Sequence, residues 1–175
     1  MSIVEIEMDA TALVATFGRL IGEMDATMAQ AVELSLDIVA ADARTRAPIS
    51  PSSAADGEFM GPVNTGYLRR SIGAGDVTGS FSDGGLEGVV SASAPYALHV
   101  EYGTKPHEIR PKNKRALRWA SAGGKNGWAF AKVVKHPGTA PKPFLRPALT
   151  ANRDAIINRF SVATRLAIAR AKAGA

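Results

Sequence analysis

From Leu13 onward apolar side chains recur mostly at steps of three or four, through Phe17, Leu20, Met24, Met28, Ala31 and Ile38, and Asp42 continues the spacing. That spacing is one face of a helix. The pattern runs to about Arg46 and gives a helix on the order of 50 Å long at ~1.5 Å per residue. Asp9 and Thr11 offer N-cap oxygens at its start. Pro48 sets its end, because proline disfavours helical geometry in the residue before it. Gly22 is the weak point, costing about 1 kcal/mol relative to alanine and marking a place for a bend. A second helical pattern spans 148–172, with Pro147 suited to its first turn. Its apolar stripe is Leu149, Ile156, Phe160, Ala163 and Ala167, with Arg153, Arg159, Arg165 and Arg170 largely beside it.

Between these helices the periodicity changes. Residues 48–63 (PISPSSAADGEFMGPV) have the composition of a flexible loop, longer than ordinary connections. Two strand-like runs, 72–80 and 86–93, flank the turn-forming Ser82-Asp83-Gly84-Gly85 and read as a β-hairpin. Residues 95–102 read as a short helix opened by Pro95 and ended by Gly103. Three further short strands are expected at 107–110, 116–120 and 128–134, the last two joined by a turn at 123–127. The stretch 136–143 holds three prolines in eight residues, which excludes regular structure. Ahead of the first helix, Val4, Ile6 and Met8 alternate with Glu5 and Glu7, as in a short half-buried strand. The expected fold is α+β, a small antiparallel β-sheet packed against long N-terminal and C-terminal α-helices in one domain over 1–175.

Charge narrows the function classes. The net charge of the 175 residues is +5, but residues 1–101 hold 5 Lys/Arg against 14 Asp/Glu and residues 102–175 hold 16 against 2. Such polarity points to an electrostatic partner, either nucleic acid or another copy of the chain. The absence of cysteine excludes disulfides, thiolate zinc sites and cysteine nucleophiles. No run approaches the roughly 18 apolar residues of a membrane span. The acidic start, MSIVEIEMD, lacks the basic n-region of a signal peptide.

Catalytic patterns are absent from the sequence. His99, His107 and His136 have no i, i+4 partner for a zinc-protease motif, and they read as surface or turn histidines. Gly73, Gly75 and Gly79 miss the dinucleotide fingerprint by one residue and precede no helix. No G-x-S-x-G elbow occurs. Among the carboxylates only Glu101, beside Tyr102, stands out, and it reads as a solvated or ion-paired helix residue. No enzyme activity, cofactor or metal is expected. The basic stretch of Lys105, Arg110, Lys112, Lys114, Arg115 and Arg118 adjoins Trp119. It suits phosphate contact with Trp119 or Trp128 as a stacking platform, or a solvated basic loop beside buried tryptophans. Alternation around the two tryptophans favours the buried reading; attraction to DNA or to an acidic neighbour stays open.

Three segments carry a resemblance: Asn-Thr-Gly-Tyr-Leu-Arg-Arg-Ser-Ile at 64–72, Ala-Pro-Tyr-Ala-Leu-His-Val-Glu-Tyr-Gly-Thr at 94–104, and His-Pro-Gly-Thr-Ala-Pro-Lys-Pro-Phe-Leu-Arg-Pro-Ala-Leu at 136–149. In this order and spacing they resemble the neck and tail-completion proteins of long-tailed bacteriophages, the minor tail protein Z-like group. The resemblance implies a non-catalytic virion protein at the head–tail junction, assembled in the host cytoplasm. It implies a homo-oligomer, typically a hexameric ring, around a channel for double-stranded DNA bound without sequence preference. Its implied neighbours are the head connector or stopper and the tail tube or terminator proteins, with no membrane partner. It also implies structural roles. Thr65, Gly66 and Leu68 dock the segment after the loop, and Tyr96, Tyr102, Gly103 and Thr104 shape a helix-to-strand turn. Pro143, Phe144, Leu145 and Pro147 plug the start of the last helix into the core. The cations at 105–118 become candidate subunit or channel contacts.

Overall fold

A computed structural model of the protein describes residues 10–49 and 66–173. The strand expected near 4–8, the cap at Asp9 and nearly all of the 48–63 loop lie outside the described residues. The elements in chain order are α1 (Thr11–Arg46), α2 (Tyr67–Ser71), β1 (Ile72–Ala74), β2 (Thr78–Ser80), β3 (Gly85–Glu87), β4 (Val90–Ala92), α3 (Ala97–Tyr102), β5 (His107–Ile109), β6 (Leu117–Lys125), β7 (Trp128–Ala131), β8 (Val134–His136) and α4 (Leu145–Ala173). The class is α+β, with long terminal helices as expected. The described strands form four two-stranded ladders, β1–β4, β2–β3, β5–β8 and β6–β7. The hairpin expected over 72–93 is interrupted at 75–77 and 88–89, so its two strands divide into an outer ladder and an inner one. Thr11 is the first helical residue rather than the cap, with the Val14 amide already donating to Ala10 O at 2.9 Å.

The chain forms two compact units. The first comprises residues 1–40, 74–91 and 149–175. Its buried cluster is Met28, Ala31 and Ala163, against which Met24, Leu86 and Phe160 pack. The helices run antiparallel: Met28 and Ala31 pack near Ala163, and Glu23 in the first half of α1 lies 3.7 Å from Arg170 near the end of α4. Buried hydroxyls on α1 are satisfied within the helix, Thr27 donating to Glu23 O at 2.7 Å and Ser35 to Ala31 O at 2.6 Å. The β2–β3 turn is fastened to α1 by Asp25, which accepts from Ser82 N at 3.0 Å and Ser82 Oγ at 2.9 Å. These donors, the main-chain amide first, hold the Asp25 carboxyl below its ordinary value. Gly88 lies so close to α1 that a Cβ would meet Leu36 Cδ1 at 2.5 Å and Val32 Cγ1 at 3.0 Å.

The second unit comprises residues 41–73 and 92–148. Its buried residues include Ala43, Ala47, Leu68, Ile72, Ala94, Ala97, Glu101, Phe144 and Ala148. Two arginines serve main-chain carbonyls here. Arg44 donates to Ile72 O at 3.0 and 2.8 Å. Arg69 donates to Ala47 O at 3.0 Å and Thr45 O at 3.3 Å, meeting carbonyls that the end of α1 leaves open.

Candidate assembly interface

The three sequence segments meet in the second unit. Gly66 takes a left-handed conformation at φ 62° ahead of α2, which Tyr67 opens; Leu68 and Ile72 are buried. Ser71 O accepts from Ser93 N at 3.0 Å, tying the first segment to the approach of the second. Lys142 N donates to Val100 O at 2.8 Å, and Thr104 and Thr139 form an antiparallel bridge, tying the second to the third. Gly103, at φ 73°, makes that bridge possible, because a Cβ there would lie 2.5 Å from Thr139 O. Gly138, at φ 92°, does the same from the other side against Thr104 O. Of the third segment's apolar residues, Phe144 is fully buried, Leu145 and Pro147 are half-buried and Pro143 is exposed. Tyr96 and Tyr102 are exposed; Tyr96 lies against Tyr67 at 6.3 Å between ring centres, and Tyr102 lies 5.0 Å beneath the Arg146 guanidinium. Thr65 lies outside the described residues.

Glu101 is what sequence reasoning missed. It is only 3% exposed, so it is not solvated, though it is ion-paired with Arg146 as the other reading had it. Its carboxylate accepts from Phe144 N at 2.7 Å, Leu145 N at 3.0 Å and Arg146 N at 3.1 Å, and the Arg146 guanidinium stands 3.4 Å away. The amides of a helix start carry partial positive charge and have no partner within the helix. Glu101 therefore caps α4 from 43 residues away in sequence. Burial pushes its carboxyl up, but the three amide bonds and Arg146 outweigh burial and leave it below the ordinary 4.5. The signal was a lone acid at the end of a short helix, and nothing local distinguishes that from a surface glutamate.

The basic stretch surrounds the β6–β7 hairpin. Its turn is narrower than expected, Asn126-Gly127 alone, with φ of 55° and 77°. Both positive values suit a tight hairpin turn of primed type. In the ladder, Arg118 faces Phe130 and Ala120 faces Trp128, so these four share one face. Trp128 is 39% exposed and Phe130 62%, which corrects the buried strand face expected around Trp128; Trp119 is half-buried. The Arg118 guanidinium lies 4.2 Å from the Trp128 ring centre, a cation–π contact. An open groove of about 550 Å³ beside it is lined by Lys112, Lys114, Leu117, Arg118 and Phe130, among others. Lys105 and Arg115 are exposed outside that lining, and Arg110 is paired with Glu108 at 2.7 Å. His107 and His136 oppose each other across β5–β8, their rings stacked at 5.0 Å.

The first unit leaves apolar surface uncovered as well. Leu13, Val14, Phe17 and Ile21 lie within one arc of α1 and are 48–67% exposed, although the sequence pattern had placed Leu13 and Phe17 on a buried stripe. On α4, Leu149, Ile157, Val162, Leu166 and Ile168 are exposed, while the buried row is Ala148, Ala163, Ala167 and Ala171. The family model described as "Bacteriophage HK97-gp10, putative tail-component" matches residues 11–103, just over half of the chain. The chain belongs to this HK97-gp10-like family of phage tail components, and a tail component is part of the virion. The match takes in the first segment, the second as far as Gly103, and all of α1. No curated protein and no solved structure matches the chain significantly. Among the described residues no helix is long and apolar enough to cross a membrane.

Proposed function

We propose that this tail component is a non-catalytic ring subunit at the head–tail junction. In this reading it completes or terminates the tail and joins it to the head connector around the DNA channel. The observation that carries the reading is large apolar side chains exposed in both units, Phe17 on α1 and Leu149 on α4 in the first and Phe130 on β7 in the second. Charge supports it. The first unit holds 6 Lys/Arg against 11 Asp/Glu and the second 15 against 5, so each copy presents one acidic and one basic body. Heterologous contacts, in which one patch meets a different patch on the next copy, close rings, and opposite charge sets their orientation. Six copies, a connector or stopper on one side and a tail tube or terminator on the other belong to this proposal, as does assembly in the host cytoplasm. Light scattering of the free and the virion-extracted protein is expected to give a closed oligomer; monomers in both preparations would sink the ring. Gold-labelled antibody should mark the neck in electron micrographs, and label elsewhere on the tail would move the site of action.

A second reading, a stand-alone DNA-binding protein, draws on the C-terminal half, residues 102–175, which hold 16 Lys/Arg against 2 Asp/Glu. It requires duplex binding that falls steeply with salt. Absence of duplex binding near physiological salt, with entry into tails intact, removes it.

A further inference from the structure

Among the described residues the β6–β7 hairpin has no third strand. The outer edge of β6 is therefore a row of main-chain donors and acceptors open to another strand. Side chains along it alternate: Leu117 and Trp119 are half-buried on one face, and Arg118 and Ala120 are exposed on the other. Lys112 and Lys114 line the same groove as Arg118 and Phe130. A strand that adds to this edge must alternate in the complementary sense, with acids toward the cations and apolar groups beside Leu117 and Trp119. Only one stretch of the chain alternates apolar and acidic residues over six positions, Val4-Glu5-Ile6-Glu7-Met8-Asp9. It precedes α1, whose residues 11–26 include no buried side chain.

We propose that residues 4–9 of one copy add as a strand to the β6 edge of a neighbouring copy. Glu5 and Glu7 meet Arg118, Lys112 and Lys114; Val4, Ile6 and Met8 cover Leu117 and Trp119. Each copy then has one strand to give and one edge to receive, which is a heterologous contact. A DNA duplex would engage the same cations but leave the strand edge, Leu117 and Trp119 without a partner. The proposal rests on the ring reading only in requiring that copies associate.

The chain contains no cysteine, so crosslinking reports the contact directly. Cysteine is placed in turn at Glu5, Ile6, Glu7 and Met8 of the full-length protein, and each preparation is mixed with Ala120→Cys under mild oxidation. Circular dichroism first establishes that every variant is folded. Positions 5 and 7 are expected to give the mixed disulfide about tenfold above positions 6 and 8, because side chains alternate across a strand. Arg118→Glu in the receiving copy should cut the yield about tenfold, and Glu5→Arg in the giving copy should restore most of it. No crosslink at any position, or equal yield at all four, overturns the proposal. So does a disulfide that forms only within one chain when Glu7→Cys and Ala120→Cys are combined. Loss of duplex DNA binding on Arg118→Glu with the crosslinks unchanged makes the face a DNA site and also overturns it. A chain lacking residues 2–9 that enters tails as well as the full chain overturns the strand exchange and leaves the tail-component reading standing. Absence of the full chain from tails overturns that reading instead.

Discussion

At the scale of single residues, Glu101 holds the strongest position in the second unit. Three amides depend on one carboxylate, and removing it leaves buried donors without partners. Glu101→Ala is expected to lower stability by about 3 kcal/mol, and Glu101→Gln by about half as much, read as shifts in the urea midpoint. The pH dependence follows from its depressed carboxyl. Below 4.5 the unfolded chain takes up the proton while the folded chain still resists it. The contribution is therefore fully present above about pH 4.5 and is lost as pH falls through the lower folded value. The gap between wild type and Glu101→Gln should be widest near neutrality and close as pH falls well below 4.5. Gly103 makes a second residue-scale case, since a methyl there meets both Thr139 O and, at 2.9 Å, Pro141 N. Gly103→Ala should cost about 2–4 kcal/mol in the same measurement.

Among the elements, α1 was the most legible, because proline and apolar spacing are local signals; its expected end at Arg46 is the observed one. The sequence pattern does not tell which part of an amphipathic face finds a partner. Met28 and Ala31 are buried, whereas Leu13 and Phe17 on the same stripe are exposed. Periodicity records the capacity to be buried, and tertiary contacts decide whether it is used. The same limit applies to Trp128, whose alternation suggested a buried strand and whose ring instead supports Arg118 near the surface. The turn at Asn126-Gly127 was included in a longer expected loop, because Gly123 and Gly124 are also turn formers. Gly18 and Gly22 give the element-scale prediction. A Cβ at either meets nothing within 4 Å, so Gly18→Ala and Gly22→Ala should each stabilise α1 by about 0.5–1 kcal/mol. A raised melting temperature with unchanged oligomer size checks it.

For the whole molecule, the two halves of the sequence do not map onto the two units. Arg153, Arg159, Arg165 and Arg170 of α4 fall in the acidic unit, where Arg170 meets Glu23. Polarity survives this exchange, because the basic 105–135 region lies wholly in the other unit. Copies held together by such charges should dissociate as salt rises from 50 to 500 mM, roughly a threefold shortening of the screening length. Sedimentation at the two salt concentrations reads this. Unchanged association would assign the contact to apolar groups such as Phe17 and Phe130.

The first unit is assembled from residues 1–40, 74–91 and 149–175, three stretches that a ribosome delivers at widely separated times. Met28 and Ala31 are synthesised well before Phe160 and Ala163, which complete their cluster. Closing such a distant contact is slow, because the intervening chain must first be brought together. Until Phe160 and Ala163 emerge, the partners of Met28 and Ala31 are missing and α1 keeps that apolar face open, so this unit cannot close its cluster.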